Sequence, residues 1–337
     1  MGSTIKELAK RCGLSVSAVS KALNNYPDIS EKTREMVLKA AEEMGYFPNA
    51  IARGLKTNRT YNLGVILDDT TSDSLLHNFF IVILNGFKRE AELRGYDVTL
   101  ISRDIGNQRL SYLNHCHYRN VDGVCLMCVD FYDAEIAELA QSDLPLVSID
   151  HQFEARDCVN SDNQTGIRDL MEYILSMGHT RVAYLHGTPS NVTEVRLKTF
   201  CEVMAAHGIT VPDAYVRETE YHSTTAAFAA TQAMLGLAEP PTCVLLPDDY
   251  SALGGIDAIQ NAGLTVGVDV SVAGCDGTSL IQKIRPRLTT FKQDGREMGR
   301  RAAIRLIERI EHPDSPIAPP DLVPGWLLAG ETVAKLS

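Results

Sequence analysis

Thr4-Ile-Lys-Glu-Leu-Ala-Lys-Arg-Cys-Gly-Leu-Ser-Val-Ser-Ala-Val-Ser-Lys-Ala-Leu-Asn24 reads as two short helices clamped around a tight turn. Thr4 and Glu7 have the spacing of a capping box, and Ile5, Leu8, Ala9 and Cys12 recur at helical intervals as one apolar stripe. Gly13 can take the positive φ of a sharp helix exit. Ser15 is placed to cap a second helix whose apolar side is Val19, Ala22 and Leu23. Val16, Ser17 and, one turn on, Lys21 are left facing outward, where a recognition helix presents side chains to base edges.

An ordinary αα-hairpin would show the same pattern, so the flanking sequence decides. Ser30 is placed to cap a third helix with a stripe of Met36, Val37, Ala40, Ala41 and Met44, and Gly45 lies where a helix ends. Over residues 1–60 there are ten Lys plus Arg against six Asp plus Glu, a net of +4. The whole chain is −11, which leaves −15 for the remainder. A basic head on an acidic body fits phosphate contact by one end only.

These residues resemble the N-terminus of the LacI/GalR family of bacterial transcription regulators. The likeness continues through Ile29-Ser-Glu-Lys-Thr-Arg34 and through Glu43-Met-Gly-Tyr-Phe-Pro-Asn-Ala-Ile-Ala-Arg-Gly-Leu-Lys-Thr57, similar to that family's third helix and hinge. In order of elements it extends through Leu63-Gly-Val-Ile66 and Leu288-Thr-Thr-Phe-Lys-Gln-Asp294, and so covers nearly the whole chain.

The resemblance implies a homodimer, or a higher oligomer, on double-stranded operator DNA. Thr4, Ser15, Val16, Ser17, Lys21, Asn24, Asn49, Arg53 and Leu55 form its DNA-facing set. Val16 can meet a thymine methyl, Ser17 can bond a donor or acceptor edge, and Lys21 can reach guanine O6 or N7. Family members often carry Arg at the Lys21 position, so the bidentate fork is absent here. Ala18 stands where Thr is frequent, which removes one possible phosphate contact, while Asn24 and Asn49 remain for backbone bonds. Asn49 to Thr57 resembles the hinge helix that forms on the operator, with Leu55 as its minor-groove wedge. Gly54 weakens that helix by about 1 kcal/mol relative to Ala.

A length of 337 residues, with 45% hydrophobic and 22% charged residues, fits a soluble protein of more than one lobe. No apolar run is long enough for a membrane span and the N-terminus lacks the apolar core of a signal peptide, so a cytoplasmic protein with no membrane partner is expected. Eight cysteines then read as free thiols. His115-Cys-His117 and Cys125-Leu-Met-Cys128 offer metal-ligand types. Residues three apart on a strand diverge, as do residues two apart on a helix, so core thiols, solvated histidines and no metal are expected.

From residue 61 onward, strand-like runs at 63–67, 97–101, 123–128, 146–149, 182–186, 243–246 and 271–274 alternate with helical stretches at 78–94, 107–118, 133–141, 163–177, 194–207, 224–236, 250–262 and 295–310. This alternation specifies α/β lobes with parallel sheets covered on both faces. The expected organisation is an all-α helix-turn-helix head over 1–47, a hinge over 48–60, and a two-lobed effector and dimerisation domain resembling periplasmic binding proteins over 61–337. Its N-lobe should take about 61–159 plus 291–320, and its C-lobe about 160–290 plus 321–337.

Doubly wound sheets hold ligands at the carboxyl ends of their strands, which singles out Asp150, Arg196, Asp248, Asp249 and Asp276, each also suited to capping a helix or closing a loop. Carboxylates accept paired bonds from adjacent hydroxyls and a guanidinium donates them, which suits a neutral polyhydroxylated ligand between aromatic walls. By resemblance Asp150, Arg196, Asp248 and Asp276 fall at effector-contact positions and Gln293 at a crossover near the cleft. Phe79, Phe80 and Phe291 are wall candidates, with Tyr221 or His222 as a further one. An Asp at position 248, where many members carry Asn, favours a neutral sugar over an anion.

A sugar-acting enzyme and a solute-binding receptor on the same scaffold are the competing classes. The chain contains no Gly-x-Ser-x-Gly elbow, Walker loop, Gly-x-Gly-x-x-Gly or His-Glu-x-x-His, so neither catalysis nor a cofactor is expected, and the basic head does not fit a receptor. A repressor of carbohydrate-utilisation genes, under allosteric control by a sugar-like effector, is the function the sequence favours.

Overall fold

The structure, a computed structural model, describes residues 3–23, 26–46, 59–67 and 78–336. They fall into two compact units, Met1–Tyr61 and Asn62–Ser337.

The first unit holds α1 (Ile5–Cys12), α2 (Val16–Leu23) and α3 (Glu31–Glu43). The capping box is closed: Glu7 N donates to Thr4 Oγ1 at 3.3 Å and Thr4 N to Glu7 Oε2 at 2.7 Å. Gly13 exits α1 at φ 65°, and Ser15 Oγ accepts Ala18 N at 3.1 Å to start α2. Leu8, Ala9, Val19, Ala22, Val37 and Ala41 form the core. Met36 departs from its expected place in the α3 stripe and is 44% exposed. One residue turns a helix by about 100°, which carries Met36 off the line of Val37, Ala41 and Met44.

The second unit is built on two six-stranded sheets. The N-lobe sheet has the order β13-β7-β6-β5-β1-β2, from β1 (Asn62–Ile66), β2 (Asp97–Ile101), β5 (Gly123–Leu126), β6 (Leu146–Ile149), β7 (Asp157–Ser161) and β13 (Asp321–Val323), all parallel. The C-lobe sheet has the order β14-β12-β11-β10-β8-β9, from β8 (Val182–His186), β9 (Val216–Glu218), β10 (Cys243–Leu245), β11 (Ser271–Asp276), β12 (Thr289–Lys292) and β14 (Trp326–Leu328), of which only β14 runs antiparallel to its neighbour. The strands buried on both faces, such as β5 and β10, are continuous apolar runs, as parallel sheets require.

The chain therefore crosses between lobes after Ser161, Lys292 and Val323. The expected boundaries came a few residues early: those at 159/160 and 290/291 cut through β7 and β12, and the one at 320/321 assigned β13 to the wrong lobe. β9, β13 and β14 escape sequence reading because short edge strands lack a two-sided apolar run, and β7 and β12 escape it because Asp157, Asn160 and Ser161 in one and Thr289, Thr290 and Lys292 in the other interrupt theirs.

The helices of this unit are α4 (Asn78–Leu93), α5 (Tyr112–Arg119), α6 (Ala134–Gln141), α7 (Asn163–Ser176), α8 (Asn191–Ala206), α9 (Thr224–Leu235), α10 (Asp249–Asn261) and α11 (Gly295–Glu311). The helix expected from 107 starts only after its Ser111 cap. The preceding residues form a hairpin of β3 (Asp104–Ile105) and β4 (Gln108–Arg109), turned by Gly106 at φ 60°. Helices α4 and α11 touch backbone to backbone, since a Cβ on Gly299 would lie 1.9 Å from Ile83 O. This contact fixes the floor from which α4 projects Phe79 and Phe80.

His115 corrects the expectation of solvated histidines. It is buried, and its Nε2 accepts Arg119 Nε at 3.2 Å, so the proton sits on Nδ1, 2.6 Å from Ser102 O. Cys125 is buried in β5, and Cys128 lies beyond the strand at φ 51°. Among the described residues no group of three or more His, Cys, Asp or Glu is arranged to hold a metal ion, and no helix is long and apolar enough to cross a membrane.

Candidate functional site

Parallel strands of both lobes end on polar residues, and two of these, Asp150 just after β6 at φ 66° and Asp276 at the end of β11 at φ 108°, sit in left-handed backbone that non-glycine residues rarely adopt, as does His222 in the turn after β9 at φ 59°. Such conformations cost about 1–3 kcal/mol each and persist where the surroundings over-determine them, a pattern concentrated at ligand sites.

Arg196, 3% exposed on α8, is the buried cation of this region. Its Nε donates to Asn163 Oδ1 at 2.7 Å and its Nη1 to Pro247 O at 2.9 Å. Asn163 opens α7, so one guanidinium ties α7, α8 and the end of β10 together. Its charge acts on both Asp150 and Asp276. Burial pushes the Asp150 carboxyl up to about 6, with Arg196 opposing. Asp276 is pushed up to about 7, by burial first and then by the negative charge of Asp248. Gln293, 5% exposed just past β12, donates from Nε2 to Asp276 Oδ1 at 2.7 Å.

The buried atoms Asp150 Oδ1, Asn160 Oδ1, Ser161 Oγ, Tyr184 OH, Asp276 Oδ2 and Gln293 Oε1 make no hydrogen bond among the described residues. Four of the six are pure acceptors, and unmade bonds of buried polar atoms are costly. A molecule rich in O–H or N–H donors would satisfy them.

Asp248 does not join this set. It is the N-cap of α10: Oδ1 accepts Ser251 N at 2.8 Å, and Oδ2 accepts Ser251 Oγ and His222 N, each at 2.8 Å. Burial raises its carboxyl, but the adjacent His222 charge and these donors outweigh burial and hold it well below the usual carboxylate range. The expected effector contact is therefore spent on the orphan amides of a helix start and on holding His222. Asp249, the other acid of this pair, is fully buried. Its Oδ2 accepts Thr278 N at 2.7 Å and its Oδ1 lies 2.6 Å from Thr290 Oγ1, which places it beneath the turn that follows Asp276.

The expected walls also shift. Phe79 is 7% exposed and faces Gly295, and Phe291 is a core residue wedged against Gly166 and Gly325. Phe80 instead meets His222 edge-on across the lobes, with ring centroids 5.8 Å apart and planes at 87°. Asn78 Nδ2 crosses in the same place to Ser279 Oγ at 3.4 Å. Tyr221 lies over Gly187, where a Cβ would be 2.0 Å from its ring, and its hydroxyl meets Thr193 Oγ1 at 2.8 Å. Asn163, Tyr184, Asn160 and Ser161 were missed in the sequence because single polar residues beside apolar runs carry no spacing signal.

On the head, Val16 is 42% exposed and Ser17 is exposed, while Val19 and Ala22 face the core. Ser17 and Lys21 are one turn apart on the outer face of α2. The Lys21 ammonium is hydrogen-bonded to Asp28. Thr4 and Ser15 act as the caps of α1 and α2. Asn24, Asn49, Arg53 and Leu55 lie outside the described residues.

A compact three-helix head with an outward-facing second helix, in a chain that also builds two parallel-sheet lobes around buried polar groups, defines a DNA-binding regulator with a small-molecule receptor body. Residues 4–49 match the family described as bacterial regulatory proteins, lacI family, and residues 171–333 match the periplasmic binding protein-like domain. The chain is 31% identical over 315 residues to the HTH-type transcriptional repressor PurR of Vibrio campbellii, covering 92% of each. It is 29% identical over 316 residues to catabolite control protein A of Priestia megaterium, again covering 92% of each. A solved lac repressor dimer, bound to operator and the anti-inducer ONPF, matches with a TM-score of 0.78 at 27% identity, covering 99% of this chain and 100% of that one. The chain belongs to the lacI family of bacterial regulatory proteins and is a transcriptional repressor of that family with an effector-binding domain.

Proposed function

We propose that this repressor controls carbohydrate-utilisation genes in the cytoplasm as a homodimer, and that a neutral polyhydroxylated effector binds between its lobes. The observation that carries the effector class is the excess of unpaired acceptors, Asp150 Oδ1, Asp276 Oδ2 and Gln293 Oε1 among them, around a single buried guanidinium. An anion would add charge to two carboxyls already disfavoured as anions, whereas adjacent hydroxyls supply the missing donors. Phe80 and His222 supply an apolar face for a ring.

A flat heterocycle with exocyclic N–H groups is the second reading. The neutral form of Asp276 presents a donor beside an acceptor, and Phe80 offers a stacking face. A thermal-shift screen separates the two. A ligand at a hundred times its Kd stabilises by about 2.7 kcal/mol, so neutral sugars and glycosides should raise Tm where purine and pyrimidine bases do not. The reverse result selects the heterocycle.

Effector binding changes the angle between the lobes and withdraws the hinge from the operator, a coupling bounded by the effector's differential affinity for the two states. Val16, Ser17 and Lys21 meet base edges and Leu55 wedges the minor groove. Leu55→Ala should abolish most specific operator binding in a titration, and unchanged affinity would remove the wedge from this account.

A further inference from the structure

One exposed acid of the head is bonded to the DNA-reading lysine. Three of the head's other five acids have structural partners: Glu7 closes the α1 capping box, Glu43 pairs with Arg11 at 2.7 Å on the neighbouring helix, and Glu31 pairs with Arg34 within α3. Asp28 lies in the segment between α2 and α3, with its side chain 52% exposed, and is bonded to Lys21. The hydrogen bond from Lys21 holds its carboxyl below the usual carboxylate range, so it is an acceptor only. An exposed pair of this kind adds little to stability. Against a phosphate backbone a bare carboxylate is repelled, so it weakens binding to every sequence unless a base offers it a donor.

We propose that Lys21 and Asp28 read one G·C base pair as a unit, with the ammonium on guanine O6 and N7 and the carboxylate on the N4 amino group of the paired cytosine. This rests on the reading of Lys21 as base-facing. In the major groove, guanine O6 and cytosine N4 lie side by side, an acceptor next to a donor about 3 Å away. The ion pair presents the complementary order, a donor next to an acceptor at one hydrogen-bond length, so it docks without being broken. A reversed C·G pair sets donor against donor and acceptor against acceptor. A T·A pair keeps the order but gives Lys21 a single acceptor beside a methyl group. Asp28 thus makes up in discrimination for the guanidinium fork that Lys21 lacks, and charges lower affinity for every other sequence.

The test is selection of sites by the full-length protein from a random double-stranded DNA library, followed by binding titrations on the selected site and its single-base variants. Wild type should enrich a G·C pair at one position of each half-site. Asp28→Ala and Lys21→Ala should each lose the preference at that same position by about tenfold. The double variant should lose little more than either alone, the mark of a shared contact. Melting temperatures should hardly change, because both side chains are exposed. The proposal is overturned if Asp28→Ala keeps the base preference, alters a different position from Lys21→Ala, or tightens binding to all sequences equally. Failure of the wild type to enrich any sequence defeats the operator reading itself.

Discussion

Phe80 of one lobe and His222 of the other touch edge to face, 5.8 Å between centroids, and His222 is itself held by its backbone amide on Asp248 at 2.8 Å. The contact between lobes thus runs from an N-lobe helix, through one ring pair, to the cap of a C-lobe helix. A double-mutant cycle of Phe80→Ala and His222→Ala in urea should give a coupling of about 0.5–1.5 kcal/mol, the range for aromatic pairs beyond simple burial. Zero coupling would mean that the rings do not meet in solution.

The cap can be separated from the hold on His222. Serine is also a good N-cap, so Asp248→Ser should keep α10 started and cost under about 1 kcal/mol, whereas Asp248→Ala should cost about 1–2 kcal/mol. Chemical denaturation of both variants checks the ranking. Equal losses would show that the second carboxylate oxygen, and with it His222, matters more than the helix start.

Stability should decline with rising pH because of the cleft carboxyls. Asp150 is raised to about 6 and Asp276 to about 7, against about 3.9 in an unfolded chain. Between these values the folded state binds more protons than the unfolded one, so raising the pH from about 4 to about 7 removes stability. Asp248, held low, acts in the opposite direction, and its contribution is lost only as pH falls below the usual carboxylate range. In Asp276→Asn the upper part of the decline should flatten in urea melts at stepped pH. An unaltered slope would assign that proton to another group.

Gly299→Ala places a methyl group 1.9 Å from Ile83 O, and neither helix backbone can yield without moving α4 against α11. Overpacking of this type costs about 1–3 kcal/mol or more. Gly236→Ala is the control, since nothing lies closer than 3.6 Å to its added carbon. Differential scanning calorimetry should show a clear fall in Tm for the first and almost none for the second.

Much of this architecture is legible in the chain, for reasons particular residues make plain. The head can be read because its caps and stripes are local: Thr4 with Glu7, Gly13, and Ser15 before Val19 and Ala22 each act within one turn or two. Strands such as β5 and β10 can be read because double-sided burial makes them continuous apolar runs. The polar residues at the strand ends can be picked out of the sequence, but the partners each of them takes cannot. Asp248 and Asp276 look alike in sequence, and only the packing of Ser251 and His222 around one, and of Gln293 beside the other, gives them different roles. Phe79, Phe80 and Phe291 present the same difficulty, because which ring is buried depends on where Gly295, Gly166 and Gly325 leave room.

The triple crossing between lobes has a consequence for the order in which the molecule is made. The N-lobe begins at Asn62 but lacks α11 and β13 until Val323 has left the ribosome, and the C-lobe waits for β14 in turn. The head needs only its own first 46 residues. A nascent or prematurely terminated chain therefore displays a finished helix-turn-helix head on a body whose two sheets are incomplete. Such a fragment carries the complete basic head on lobes whose sheets are still open, because contacts of this long sequence separation form last.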